Sequence, residues 1–400
     1  MYIYLKNYQG FTETLFKLQD VNFFVGDNST GKSSILNLLG VLHTPKFWSA
    51  SSFQFNDSFK TTRFDDLLYK NSDEREFTIG IFDNPQLSMY FDMILIKFKE
   101  KDSIPVIAEI KYNIEKRTIY ATVVNNELNY CFIVEKKNFS NKEAHIKTWI
   151  SKKVDNSNQQ TITFKKSSSI NLILSELNRN IFQKNKEITI DNFFSEFIYR
   201  SPLGERPKEK YNDAEIEKIN NILDLDEKRE SLYNFGLNAS MFDSIEIGEI
   251  SKDIYEIDIQ YKNIKLSVNN VGFGISQILP FLADILAYKR SVFSMQQPEV
   301  HLHPKGQVAF GEFIFNSASI DNNKFIIETH SDYIIDRFRY CVSRNKINLK
   351  SQILFFSKQE TGDNNICAIS ITNKGKYEDT DNLMLFRDFF INEAAKLWEI

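Results

Sequence analysis

Glycine, proline and cysteine are all scarce in this chain, at 14, 8 and 3 of 400 residues. That scarcity excludes a collagen-like or linker-like chain, and 35 Phe exclude a disordered one. Cys131, Cys341 and Cys367 stand far apart with no CxxC pair. They offer no disulfide framework and read as buried free thiols. No apolar run approaches the roughly 20 residues of a membrane span. The opening MYIYLKNYQG also lacks the basic and apolar stretches of a signal peptide. A cytoplasmic protein with no membrane partner is the expectation. Positive charge is not in excess either: the net charge is −4, which excludes a uniformly basic, nucleic-acid-coating surface. Lys136 with Lys137, or Lys208 with Lys210, leave a local basic patch open, although solvated loops account for both pairs. Sustained heptads and internal repeats are missing, which excludes a long coiled-coil arm.

What remains is a globular composition, with 42% hydrophobic and 26% charged residues, long enough for one or two domains with a large core. Strands are expected at Tyr2–Leu5, Thr14–Leu18 and Val21–Val25, followed by a loop and a helix over Ser33–Leu42. The middle carries strand-like stretches at Phe77–Phe82, Leu87–Phe98, Val106–Ile114, Thr118–Val124 and Tyr130–Val134, in an antiparallel meander. Helical patterns follow at Ile170–Lys184 and Ala214–Leu223. The last third alternates again: strands at Ile254–Tyr261, Ile264–Val268, Val292–Met295, Phe325–Glu328, Ile353–Ser357 and Ile366–Ile371, with helices at Ser276–Lys289, Lys305–Ser317 and Ser331–Val342. A parallel α/β core split by a middle insertion fits this order, with core at 1–75 and 241–400 and a β-rich, then helical, insertion at 76–240.

Gly26-Asp27-Asn28-Ser29-Thr30-Gly31-Lys32-Ser33 satisfies G-x-x-x-x-G-K-[ST], after an apolar strand and at the start of a helix. The residue types follow from phosphate chemistry. Glycines let backbone N–H groups of Gly26, Asn28, Ser29, Thr30 and Gly31 curl round phosphate oxygens. The helix start, through Ser34, adds positive potential. Lys32 reaches the outer phosphates, and the Ser33 hydroxyl suits Mg²⁺. A plain Gly-rich turn does not explain Lys-Ser at the helix start. ATP and Mg²⁺ are the expected ligands.

Three later segments narrow the class: Asn270–Gln277 before a helix, Gln296–Pro304 after a short apolar strand, and Glu328-Thr329-His330-Ser331 after the next. With the loop, they resemble the ABC-type ATPases of the SMC/RecF/OLD group. The closest likeness is to the AAA-like, OLD-type ATPases of bacterial anti-phage systems. The likeness is close over about the first 40 and last 140 residues. In the middle, Tyr199–Pro207 resembles that group's YxGPLR-type segment. The fold so implied is a P-loop ABC-type core, with a parallel or mixed sheet flanked by helices.

The resemblance also implies roles. Gly272, Gly274, Ser276 and Gln277 correspond to the signature motif, which reaches the γ-phosphate of a partner chain's ATP. Gly272 stands where that motif usually has serine. His330 corresponds to the switch histidine. Gln296 and Gln297 occupy the positions of the Mg²⁺-holding acid and the catalytic Glu. An amide can orient water through its oxygen but cannot accept a proton. Glu299 is the nearest carboxylate, two residues on. The catalytic set implied is therefore Gln297, Glu299 and His330, with Ser33 and Gln296 towards the metal. His301 and His303 fall in the D-loop, where His303 replaces Asp. The Q-loop lies in Gln54–Asp66, and no single residue is assigned. Asp379-Thr380-Asp381 does not follow a strand, so an appended Toprim nuclease is not expected.

The functional expectation is an ATPase that dimerises, or forms a larger homo-oligomer, round nucleotide. It would drive or gate a separately encoded effector, a nuclease or toxin, in anti-phage defence. A nucleotide switch with little hydrolysis and a RecF-like DNA-repair ATPase are the alternatives, the latter keeping nucleic acid open as a partner.

Overall fold

The computed structural model describes residues 1–50, 63–83, 92–114, 117–124, 127–134, 142–152, 160–163, 169–182, 190, 197–200, 213–252, 254–345, 347–378, 383–384 and 386. The chain forms two compact units. One comprises Met1–Leu18, Asn28–Ser195 and Ser357–Ile366; the other Gln19–Asp27, Glu196–Phe356 and Cys367–Ile400. The division falls inside the glycine loop, so Gly26 and Asp27 are described with the second unit and Asn28–Ser34 with the first.

The chain begins with strands β1 (Tyr2–Tyr8), β2 (Phe11–Lys17) and β3 (Val21–Gly26), then helices α1 (Lys32–His43), α2 (Pro45–Ser49) and α3 (Phe64–Leu67). β4 (Glu76–Phe82), β5 (Met93–Lys101), β6 (Ile104–Ile114), β7 (Arg117–Val124) and β8 (Glu127–Val134) follow, then α4 (Lys142–Ser151), β9 (Gln160–Thr163) and α5 (Ile170–Phe182). In the first unit an eight-stranded sheet runs in the order β2-β1-β4-β5-β6-β7-β8-β9, with antiparallel neighbours throughout. β4 pairs directly with β1, so this sheet runs across residue 75. Phe77, Phe98 and Phe47 gather on one side of it, with Phe77 and Phe98 stacked at 5.1 Å. On the other side α4 buries Trp149, whose indole N–H donates to Thr118 Oγ1 at 2.8 Å. Lys111 Nζ donates to the carbonyl oxygens of Trp149 and Lys152, closing the helix's C-terminal end.

The remaining elements are β10 (Phe197–Arg200), α6 (Asp213–Leu223), α7 (Asp226–Ala239), β11 (Ser244–Ser251), β12 (Ile254–Tyr261), β13 (Ile264–Ser267), α8 (Phe273–Ala287), β14 (Val292–Gln296), α9 (Pro304–Ile320), β15 (Lys324–Glu328), α10 (Asp332–Asn345), β16 (Ser351–Lys358) and β17 (Asn364–Ile371). β11, β12 and β13 form a small antiparallel sheet. The second unit is built on a six-stranded sheet ordered β10-β14-β15-β3-β16-β17. Its first five strands pair in parallel. An α/β fold with parallel and mixed sheets flanked by helices is therefore present, as expected.

β3 is buried along its whole length, as a central parallel strand must be. Its one polar side chain, Asn22, is fully used. The amide N donates to Gln19 O at 3.0 Å and Phe325 O at 3.2 Å, and Oδ1 accepts from Gln352 Nε2 at 2.8 Å. Phe23, Phe325, Ile327, Phe310 and Phe338 pack the face towards α9 and α10. Several boundaries differ from expectation: β1 ends at Tyr8 rather than Leu5, β2 starts at Phe11 rather than Thr14, and β8 starts at Glu127 rather than Tyr130. β5 starts at Met93 rather than Leu87, with 87–91 outside the described residues. α8 starts at Phe273 rather than Ser276, which draws Gly274 into its first turn.

Candidate nucleotide-binding site

In the first unit the loop turns into α1 at Gly31, which holds φ +94° as the N-cap. A Cβ there would lie 2.6 Å from the Phe11 ring and 2.8 Å from Asn364 Nδ2, so only glycine fits between them. Ser29 also takes a left-handed φ of 63°. Asn28, Ser29 and Ser33 are exposed, whereas Thr30 and Lys32 are buried. No side chain caps α1. Its first-turn N–H groups are thus aimed where an anion would neutralise them. Ile35, Leu36, Leu38 and Leu39 bury the helix's other face.

In the second unit the ends of β14, β15 and β3 lie level at the sheet's C-terminal edge, the edge at which open α/β sheets take ligands. Gln296 pairs with Glu328, and Glu328 with Phe24. Gly26 closes β3 at φ +141°, where a Cβ would meet Phe356 O at 1.9 Å. The segment after β14 turns back on this edge. Gln297, at φ 44°, donates its backbone N–H to Glu328 O at 2.7 Å. Glu299 Oε1 accepts the backbone N–H of His330 at 2.7 Å. Burial pushes the Glu299 carboxyl above its ordinary range, and the neighbouring charge of Glu328 adds to this. Burial raises the Tyr199 hydroxyl to about 12, with Glu328 again contributing.

The His330 segment continues into α10 through Ser331. Ser331 Oγ accepts the Ile334 N–H at 3.2 Å and bonds Gln307 Oε1 at 2.6 Å, a helix cap held from a second helix. His303 caps α9, its Nδ1 accepting the Lys305 N–H at 3.3 Å. His301 instead lies 5.8 Å from the exposed ring of Phe273.

At the start of α8, Gly272 has open space round it among the described residues, whereas a Cβ on Gly274 would sit 2.7 Å from His301 O. Gly274 thus lets the α8 turn press on the backbone at His301. Ser276 is buried and its hydroxyl donates within the helix, to Phe273 O at 3.0 Å, while Gln277 is half-buried. The second unit therefore gathers Gln296, Gln297, Glu299 and His330 on one sheet edge, and Gly272 and Gly274 on a neighbouring turn. Glu328 is the residue that the sequence pattern left without a role. The available signal was a carboxylate ending an apolar strand just before Thr-His. Gln54, Pro202–Pro207, Lys136, Lys137, Lys208, Lys210 and Asp379–Asp381 lie outside the described residues.

A strand that runs into a glycine loop, and a helix that opens on that loop with no side-chain cap, fit a P-loop nucleotide-binding architecture. The description "AAA ATPase domain" matches residues 1–335, and the chain belongs to that family of ATPases. An uncharacterized protein of Methanocaldococcus jannaschii, MJ1542, is 26% identical over 177 residues, which is 41% of this chain and 21% of that protein's length. The SMC head domain from Thermotoga maritima is similar at 13% identity and a TM-score of 0.41, covering 92% of this chain and 97% of that one. An Smc head domain bound to the C-terminal domain of ScpA derived from Pyrococcus furiosus gives 12% and 0.43, with 99% and 98% covered. No helix among the described residues is long and apolar enough to cross a membrane.

Proposed function

We propose that the chain binds ATP with Mg²⁺ on the Gly26–Ser33 loop, assembles with a second copy round the nucleotide, and couples slow hydrolysis to a separately encoded effector. The observation carrying this is Gly31 at φ +94° before an uncapped helix that begins Lys32-Ser33. Lys32 bonds the outer phosphates, and Asn28–Gly31 and Ser34 supply N–H donors. Ser33 Oγ would hold the metal, which would offset the charge of the phosphate oxygens. His330 contacts the γ-phosphate. Gln297 orients the attacking water through its amide oxygen, and Glu299 is the carboxylate nearest to take its proton. Residues 1–75 and 241–400 act as the ATPase core, and 76–240 as its insertion. The cytoplasm is its compartment, and the resemblance to anti-phage ATPases supports a nuclease or toxin as effector. Phosphate release with Lys32→Ala as control tests the hydrolytic part.

A switch that hydrolyses little is the second reading. It is favoured by the hydrogen bond that commits one Glu299 oxygen to the His330 backbone. The two roles of Glu299 separate by substitution. Glu299→Gln keeps an acceptor for His330 N–H, whereas Glu299→Ala removes it. If Glu299 is the base, both variants lose about 100-fold or more in turnover. If it only holds His330, Glu299→Gln stays within a few-fold of wild type and Glu299→Ala alone falls.

The two-chain site is tested best at Gly272. A bulky residue at Gly274 collides with His301 O in the same chain, so its effect would not isolate a partner contact. Gly272→Asp meets no obstacle among the described residues and suits a helix N-cap. Its carboxylate would nevertheless oppose a partner's γ-phosphate. Unchanged melting and ATP binding with turnover down about tenfold or more are expected. Wild-type turnover in Gly272→Asp would remove the signature role.

A further inference from the structure

The unit that carries Asn28–Ser34 also carries Asn364, the first residue of β17. The turn between β1 and β2 anchors it: its backbone N–H donates to Gly10 O at 2.9 Å. Its side chain then lies against two glycines. A Cβ on Gly10 would stand 2.1 Å from Asn364 Nδ2, and a Cβ on Gly31 2.8 Å from the same atom. Both glycines therefore leave room for the carboxamide, and Gly31 is the residue that opens α1.

An apolar side chain would suit such a slot. Asn364 is only 8% exposed, yet its carboxamide makes no hydrogen bond among the described residues. Burying an amide in this way costs stability. Deeply buried amides elsewhere in the chain are satisfied. Asn22 is one. Asn323 is another: its Oδ1 accepts the Ser291 N–H at 3.0 Å, and its Nδ2 donates to Tyr288 O at 3.0 Å and Ser317 Oγ at 2.9 Å. Asn364 is the exception, and it stands at the N-terminus of a 12-residue helix that no side chain caps. That helix end favours an anion. Phosphate oxygens only accept hydrogen bonds, and Nδ2, the atom against Gly31, only donates.

We propose that Asn364 is a nucleotide-binding residue whose side-chain N–H donates to a phosphate oxygen of ATP held on Asn28–Ser34. The free chain keeps this amide unpaired, and bound ATP satisfies it. This rests on the nucleotide reading above, and the two fail differently.

The test is the melting temperature and the calorimetric ATP affinity of the full chain, for wild type, Asn364→Leu and Lys32→Ala. Leucine fills nearly the same space and brings no donor. Without nucleotide, Asn364→Leu is expected to melt at or above the wild-type temperature, because an unsatisfied polar group is gone. Its ATP affinity is expected to fall by about 10-fold or more, the worth of a hydrogen bond to a charged group. Tripolyphosphate, which lacks base and ribose, should show the same loss. A smaller loss for ATP makes Asn364 a space-filler, and a loss confined to ATP moves the contact to the nucleoside. Either result overturns the assignment and leaves the nucleotide reading standing. Wild type binding ATP no better than Lys32→Ala overturns both. Should Asn364→Leu melt well below wild type, Asn364→Asp decides, since it keeps the shape and removes the donors. Weakening by about 10-fold or more that persists in about 1 M salt, where through-space repulsion is screened, supports the assignment. A smaller loss, or one that salt abolishes, refutes it.

Discussion

Gly26→Ala should destabilise the chain by about 3 kcal/mol or more, the sum of backbone strain and overpacking. The residue closes β3 at φ +141°, a conformation that side chains rarely adopt. Its Cβ would stand 1.9 Å from the carbonyl oxygen of Phe356, its own register partner on β16. Backbone cannot yield there as a flexible side chain would. β3 would have to part from β16, and β3 is the buried centre of the six-stranded sheet. Gly362→Ala is the matched control, because Gly362 has φ +87° but open space round it among the described residues. It carries the strain alone, about 1 kcal/mol. Thermal or urea melts of the two variants separate the terms. Equal losses would mean that the approach of Gly26 to Phe356 is unimportant.

Lys32→Ala should abolish the stabilisation that ATP confers while leaving the apo chain folded. Alanine suits a helix start, and the helix's buried face of Ile35, Leu36 and Leu39 is untouched. What disappears is a charge-assisted contact worth about 1.5–3 kcal/mol per bond, multiplied where one ammonium serves several phosphate oxygens. At ATP 100-fold above its Kd, wild type gains about 2.7 kcal/mol from binding. Weakening Kd by about 100-fold leaves roughly 0.4 kcal/mol under the same conditions. A melting shift that persists in Lys32→Ala would place the nucleotide elsewhere.

The glycine loop was legible because the phosphate-binding role proposed for it needs consecutive residues. Gly31 and Lys32 must adjoin to cap and charge one helix end, so spacing along the chain carries the information. Glu328 and Glu299 were not legible in the same way. Their relation arises from strand register and from a turn that brings Glu299 onto the His330 backbone, 31 residues further along. Gln296 holds the position that the family spacing gives to a metal ligand. Only the strand order reveals that β15 stands between β14 and β3. The helix boundary at Phe273 escaped for a local reason. Two glycines weaken a helical pattern, yet Gly274 is needed because the His301 carbonyl leaves no room for a Cβ. α7 escaped too, since Asp226–Arg229 open it with four charges and Gly236 interrupts its apolar face. That glycine is demanded by Phe242, which a Cβ would approach to 2.4 Å. The longer alternations at Phe77–Phe82 and Phe325–Glu328 were read correctly, because burial on one or both faces leaves its period in the sequence.

The most direct measurement is a calorimetric titration of ATP into the wild-type chain in Mg²⁺, beside Lys32→Ala. Saturable binding of one nucleotide per chain, weakened by about 100-fold or more in Lys32→Ala, is the predicted result. Wild type that binds ATP no more tightly than Lys32→Ala would contradict the account.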